Sequence, residues 1–109
     1  MREPELSNIG ATCEPVLSFV GNVPVRTYAA HGGRAAVLFF HGLRSSAAAL
    51  DSEARAIAAA GITALVPDAP HHGARRDRVL ESMPDTATRE GYGTLLAILR
   101  EARDEVPLL

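Results

Sequence analysis

The sequence predicts an α/β fold: a β-hairpin, then a strand–helix–strand unit and a further helix, in a sheet that is incomplete. Two apolar runs and one helical pattern carry this reading. Ala35 to Phe40 is an unbroken apolar run, which cannot alternate in and out, so as a strand it needs both faces covered, as in a parallel sheet. Ile62-Thr63-Ala64-Leu65-Val66 is a second such run, stopped by Pro67. Between them, residues 47–60 are rich in Ala, with Leu50, Ala54, Ile57 and Gly61 at helical spacing. Strand, helix, strand is a βαβ unit, whose strands run parallel through a right-handed crossover.

Taken in order, residues 1–14 are polar and irregular and are expected to be a mobile lead-in, leaving residues 15–109 as one partial domain. Val16 to Val20 and Val23 to Ala29 read as strands joined by Gly21 and Asn22, a two-residue connection of hairpin type. Pro24 cannot donate to a ladder and so suits an edge strand. His31-Gly32-Gly33 is a turn. After the run 35–40, the loop His41 to Ser46 leads into the helix, where Ser45 or Ser46 can cap the first amides and Gly61 fits just past the end. Asp51 and Arg55 stand four apart and can pair on its outer face. Gly42 is expected to let the backbone turn sharply and approach a ligand closely. Residues 75–88 are charged and polar, expected to be loop or frayed helix, with Arg75, Arg76 and Arg78 a solvated turn. Tyr92, Leu95, Leu96, Leu99, Ala102 and Val106 mark a second amphipathic helix, with Gly91 and Gly93 weakening its first turn. The closing Val106-Pro107-Leu108-Leu109 reads as a chain that stops before its next core element.

Composition narrows the function classes. With 109 residues, 47% hydrophobic and 22% charged, the chain suits a single soluble domain. Its net charge of −2 argues against nucleic acid or an anionic membrane surface as a partner. Cys13 is the sole cysteine, so no internal disulfide can form and a reducing, cytoplasmic setting is expected. The N-terminus lacks the apolar segment of a signal peptide, and no run approaches the ~20 apolar residues of a membrane span.

The residues able to carry chemistry gather after the two apolar runs, in His41-Gly42-Leu43 and in Asp68-Ala69-Pro70-His71-His72-Gly73. With the strands before them, these motifs resemble the α/β-hydrolase superfamily, specifically bacterial esterases related to the dienelactone hydrolases and the prolyl-oligopeptidase group. The resemblance runs from about Val16 to Leu109 and implies the N-terminal half of an α/β-hydrolase fold. It implies that Leu43, the residue after His-Gly, supplies a backbone N–H of an oxyanion hole, where fixed amide dipoles stabilise the charge that acyl transfer develops. It also implies that His41 and Gly42 shape the turn, and that Asp68, His72 and Gly73 support the loop at the pocket rim.

The rest of that family's machinery is absent. Its nucleophile sits in Gly-x-Ser-x-Gly, and none of Ser7, Ser18, Ser45, Ser46, Ser52 or Ser82 has glycines at plus and minus two. A metal site from Asp68, His71 and His72 is disfavoured, because adjacent histidines on an extended loop point apart and no further ligand cluster accompanies them. A Ser45–His72 pair would lack an orienting acid. No phosphate-binding glycine loop is present, and no cofactor is expected. Without the neighbouring strand, 35–40 becomes an exposed apolar edge, a site for self-association or for a C-terminal hydrolase half. Two functions follow as expectations: the N-terminal portion of a serine hydrolase acting on small carboxylic esters, or a non-catalytic hydrolase-fold module for binding or assembly.

Overall fold

A computed structural model describes residues 14–32 and 34–109. Most of the expected lead-in, Cys13 and Gly33 of the expected turn lie outside the described residues. Strands β1 (Val16–Val20) and β2 (Val23–Tyr28) form the antiparallel hairpin, with Val20 opposite Val23. Gly21 takes the left-handed conformation at φ +60°, which the first position of a type II′ turn requires. Strand β3 (Ala35–Leu38) and strand β4 (Ile62–Pro67) run parallel, with Ala35 opposite Ile62 and Leu38 opposite Leu65. The sheet order is β1-β2-β4-β3, with β2 and β4 antiparallel and Val25 opposite Pro67. The fold is α/β with a mixed, open four-stranded sheet.

Two expectations about the strands need correction. Pro24 does not mark an edge, since β2 lies between β1 and β4. Val20 and Val23 flank the two-residue turn as a hydrogen-bonded pair, so in the next pair, Phe19 with Pro24, Pro24 directs its backbone groups away from β1. The Pro24 carbonyl there accepts the Asp68 N–H at 3.0 Å. The missing proline N–H falls beyond the pairing with β4, which begins at Val25. The strand expected over 35–40 is shorter: β3 ends at Leu38, and Phe39 N–H gives one last bond to Leu65 O at 2.9 Å before the chain leaves the sheet. Nor are both its faces covered. β3 is an edge strand, Ala35, Ala36 and Val37 are exposed, and its apolar character is unspent on this side.

The segment expected to be one helix over 47–60 opens as a 3₁₀ turn, Ala47–Leu50, and continues as helix α1 (Asp51–Ala59). Ser46 caps the turn, its Oγ accepting the Ala49 N–H at 3.3 Å. Ala54 and Ala58 on α1 meet Tyr28, Ala64 and Val66 of the sheet, all at or near full burial. Alanines here let the helix lie close to the sheet, and burying a side chain such as Val66 stabilises the fold by about 1.5–3 kcal/mol. Tyr28 is wholly buried, and its hydroxyl donates to Asp51 Oδ1 at 2.7 Å. Asp51 in turn pairs with Arg55 at 2.8 Å. Arg55 first, then the Tyr28 hydroxyl, hold the Asp51 carboxyl below its usual range.

Helix α2 (Arg89–Glu105) starts at Thr88, whose Oγ1 accepts the Gly91 N–H at 3.1 Å. It packs Ile98 and Leu95 on Val79, Leu80 and Met83 of the preceding segment, a second and smaller core. Among the described residues, no helix is long and apolar enough to cross a membrane.

Candidate active site loops

The loop after β3 and the loop after β4 meet at the carboxyl ends of the two parallel strands, and side chains from each hold the backbone of the other. His41 Nε2 accepts the Ala69 N–H at 3.0 Å, and His41 Nδ1 lies 2.8 Å from Gly42 O. His72 Nε2 accepts the Arg44 N–H at 2.8 Å, while His72 Nδ1 lies 2.8 Å from Pro70 O. A carbonyl only accepts and an amide N–H only donates, so both rings are neutral with the proton on Nδ1. Their centroids are 5.0 Å apart at 52°. Burial pushes the His72 imidazole below its ordinary value, against the opposing pull of the Pro70 carbonyl.

Asp68, buried at 8% exposure, completes the lattice. Its Oδ1 accepts the Ala47 N–H at 2.8 Å and its Oδ2 the Ala74 N–H at 3.0 Å. One carboxylate thus joins the start of the 3₁₀ turn before α1 to the short 3₁₀ turn Gly73–Arg75 after β4. Gly73 makes the approach possible. It sits at φ +57°, and a Cβ there would lie 2.1 Å from Asp68 Oδ1.

The sharp turn expected at Gly42 falls elsewhere. A Cβ at Gly42 would meet nothing within 4 Å, and the left-handed residue is Arg44, at φ +65°. For a residue with a Cβ that conformation costs on the order of 1–2 kcal/mol. Arg44 is held there at both ends, its N–H on His72 and its guanidinium Nη1 on Leu80 O at 3.0 Å. Leu43, next to it, has no hydrogen-bond partner for its own N–H among the described residues. Leu43 lines a cavity of about 300 Å³ with Phe40, His41, Ala69, His72 and, across it, Leu95, Leu99 and Val106 of α2 and the turn beyond. Leu43 therefore borders a largely apolar space.

His71 and His72 point apart. His71, left-handed at φ +69°, lies with Nδ1 2.7 Å from Asp77 and Nε2 3.0 Å from Glu101 of α2. Burial pulls its imidazole down, but the Asp77 and Glu101 carboxylates outweigh this and hold it above the usual histidine value. Arg75 is not a solvated turn residue as expected. Its guanidinium grips Glu105 at 2.7 and 2.5 Å and donates to Asp68 O at 3.2 Å. Sequence reasoning passed over these pairs. The available signal was Glu101 and Glu105, like charges four apart on one helix face, an unfavourable arrangement unless cations stand opposite; His71 and Arg75 have the matching spacing.

Ser45 and His72 form no catalytic pair, because both ring nitrogens of His72 are engaged by backbone groups. No family model and no curated protein matches the chain. Among solved structures, TT1662 from Thermus thermophilus shares the fold, with a TM-score of 0.60 and 24% sequence identity over 83% of this chain. The chain spans 38% of the length of TT1662.

Proposed function

We propose that this chain is the N-terminal portion of a serine hydrolase acting on carboxylic esters, in which Leu43 supplies an oxyanion-hole amide and the nucleophile comes from outside these residues. The observation that carries the reading is that Leu43 lines an apolar cavity at the carboxyl end of a parallel strand pair, its N–H one of several in the loop 41–46 with no partner among the described residues. In acyl transfer a nucleophilic oxygen adds to the ester carbonyl carbon, and the carbonyl electron pair moves onto oxygen. A fixed N–H at hydrogen-bond distance stabilises that charge without reorganising. His41 and His72 serve the loops and not the proton transfers, since their ring nitrogens are already committed to backbone groups. The reaction as proposed uses no cofactor.

The same commitment of both histidines favours a second reading for the chain by itself, a non-catalytic module for binding or assembly. Its exposed β3 edge offers unpaired backbone groups to a further strand, from a C-terminal hydrolase half or from another copy. An assay with a short-chain aryl ester separates the readings. The chain alone is expected to give background rates. Extension with the downstream reading frame, if that encodes Gly-x-Ser-x-Gly, is expected to give hydrolysis abolished by a serine-directed phosphonate. Phosphonate-sensitive turnover by the chain alone would overturn the assignment of the nucleophile, and a downstream frame without that motif favours the module.

A further inference from the structure

We propose that His72 is a positioning residue for the loop 41–46: by accepting the Arg44 N–H it holds Arg44 in its left-handed turn next to Leu43 at the cavity, and protonation of His72 releases that turn. The positioning of Arg44 stands on geometry alone; its meaning for an oxyanion rests on the hydrolase reading.

The two bonds of the ring fix its chemistry. Nδ1 faces a carbonyl at 2.8 Å and must carry the proton, so Nε2, 2.8 Å from the Arg44 nitrogen, has the lone pair. A proton added at Nε2 would turn that acceptor into a donor facing a donor. The bond would break, and with it part of the compensation for the left-handed backbone at Arg44, leaving the Ser45 N–H to Gly42 O turn bond at 3.0 Å. Arg44 would keep its side-chain anchor on Leu80 O, so the loop would swivel about that point instead of coming free.

The groups facing His72 make the neutral ring the resting state. His72 is 2% exposed, the His41 ring stands 5.0 Å away on the loop after β3, and His71 is adjacent. Asp68 is an anion that acts on it, and its two oxygens already accept the Ala47 and Ala74 amides. The Pro70 carbonyl accepts from Nδ1 whether the ring is neutral or charged.

Nuclear magnetic resonance of the uniformly ¹⁵N-labelled chain tests this without any activity. At about pH 8 a coupling across the hydrogen bond between the Arg44 nitrogen and His72 Nε2 is expected, with Arg44 amide exchange at least about tenfold slower than that of Leu43 after correction for intrinsic rates. As the pH is lowered stepwise toward about 4, the coupling and the Arg44 protection are expected to vanish together, in step with the ¹⁵N shift of His72 Nε2. His72→Gln can present its side-chain oxygen where Nε2 stood, so it should keep Arg44 protected at every pH. His72→Ala should lose that protection at every pH. Absence of the coupling, Leu43 protected as well as Arg44, or a pH response retained in His72→Gln would each overturn the proposal. None of these outcomes bears on whether an extended chain hydrolyses esters, so the two readings fail separately.

Discussion

Asp68→Asn tests how much the joined loops contribute to the fold. The Asp68 carboxylate is 8% exposed and receives one backbone N–H on each oxygen, from Ala47 at 2.8 Å and from Ala74 at 3.0 Å. Asparagine keeps the shape and one acceptor. Whichever way its amide is turned, an NH₂ group faces one of the two backbone donors. The loss is one charge-assisted hydrogen bond together with a stranded N–H, about 2–4 kcal/mol. For a domain of this size that lowers the thermal midpoint by roughly 10–20 °C. Asp68→Ala removes both acceptors and should cost about 3–6 kcal/mol, comparable with the whole stability of a small domain, about 5–15 kcal/mol. Urea and thermal melts followed by circular dichroism give the energies, and amide exchange at Ala47 and Ala74 locates the damage. Asp104→Asn, on the exposed outer face of α2, is the control and should leave the melt unchanged. An Asp68→Asn chain within about 0.5 kcal/mol of the parent, or one that loses protection everywhere except at Ala47 and Ala74, would refute the reasoning.

Three further outcomes are expected. Gly73→Ala should destabilise at least as much as Asp68→Asn, because its Cβ would lie 2.1 Å from Asp68 Oδ1, whereas Gly32→Ala, with the same sign of φ and open space around it, should cost only about 1 kcal/mol in the same melt. The two neighbouring histidines should tilt stability in opposite directions near the ordinary histidine value. His71 is raised by its carboxylate partners, so its contribution is complete below about pH 6.5 and is lost as pH rises through the folded value; His72 is lowered by burial, so its contribution is complete above about pH 6.5 and is lost as pH falls toward the folded value. Relative to the parent, melts across that range should therefore show His71→Gln gaining stability as pH rises and His72→Gln losing it, and equal slopes in the two variants would contradict the assignment. Finally, the β3 edge should drive self-association of the chain in sedimentation experiments, and Val37→Lys, placed on that exposed edge, should reduce it; a parent chain that stays monomeric at high concentration removes the edge as a cause.

What could be read from the sequence and what could not divide along the range of the interactions. The Gly21-Asn22 turn, the Ser46 cap, the Asp51–Arg55 pair and the parallel βαβ strands are set by residues within a few positions of one another or by runs of one character, and they stand in the structure as expected. Pro24 misleads because its missing donor matters only relative to which side the partner strand takes, and the pairing with β4 starts one residue later. The solvated reading of Arg75 fails for a similar reason, since Glu105 lies thirty residues away in sequence. Arg44 carries no sign at all: an arginine at a left-handed position is unfavourable locally, and His72 and Leu80 help hold it from outside the loop while the Ser45 N–H to Gly42 O bond closes the turn within it.

That difference bears on where the chain can move. The sheet and α1 are joined by a continuous buried cluster from Tyr28 to Val66, which opens only when the sheet does. Helix α2 rests on a smaller cluster at Leu80, Met83 and Ile98, supplemented by the His71–Glu101 and Arg75–Glu105 pairs, and its Leu99 and Tyr92 remain more than half exposed. Fewer buried apolar contacts mean a lower cost of local opening. The side of the cavity formed by α2 is therefore the yielding side, and the side formed by Leu43, His41 and His72 is the fixed one. A site that must present an amide in one place while admitting a ligand or a further element beside it needs that division, and here it follows from which side is held by backbone hydrogen bonds and which by side-chain pairs.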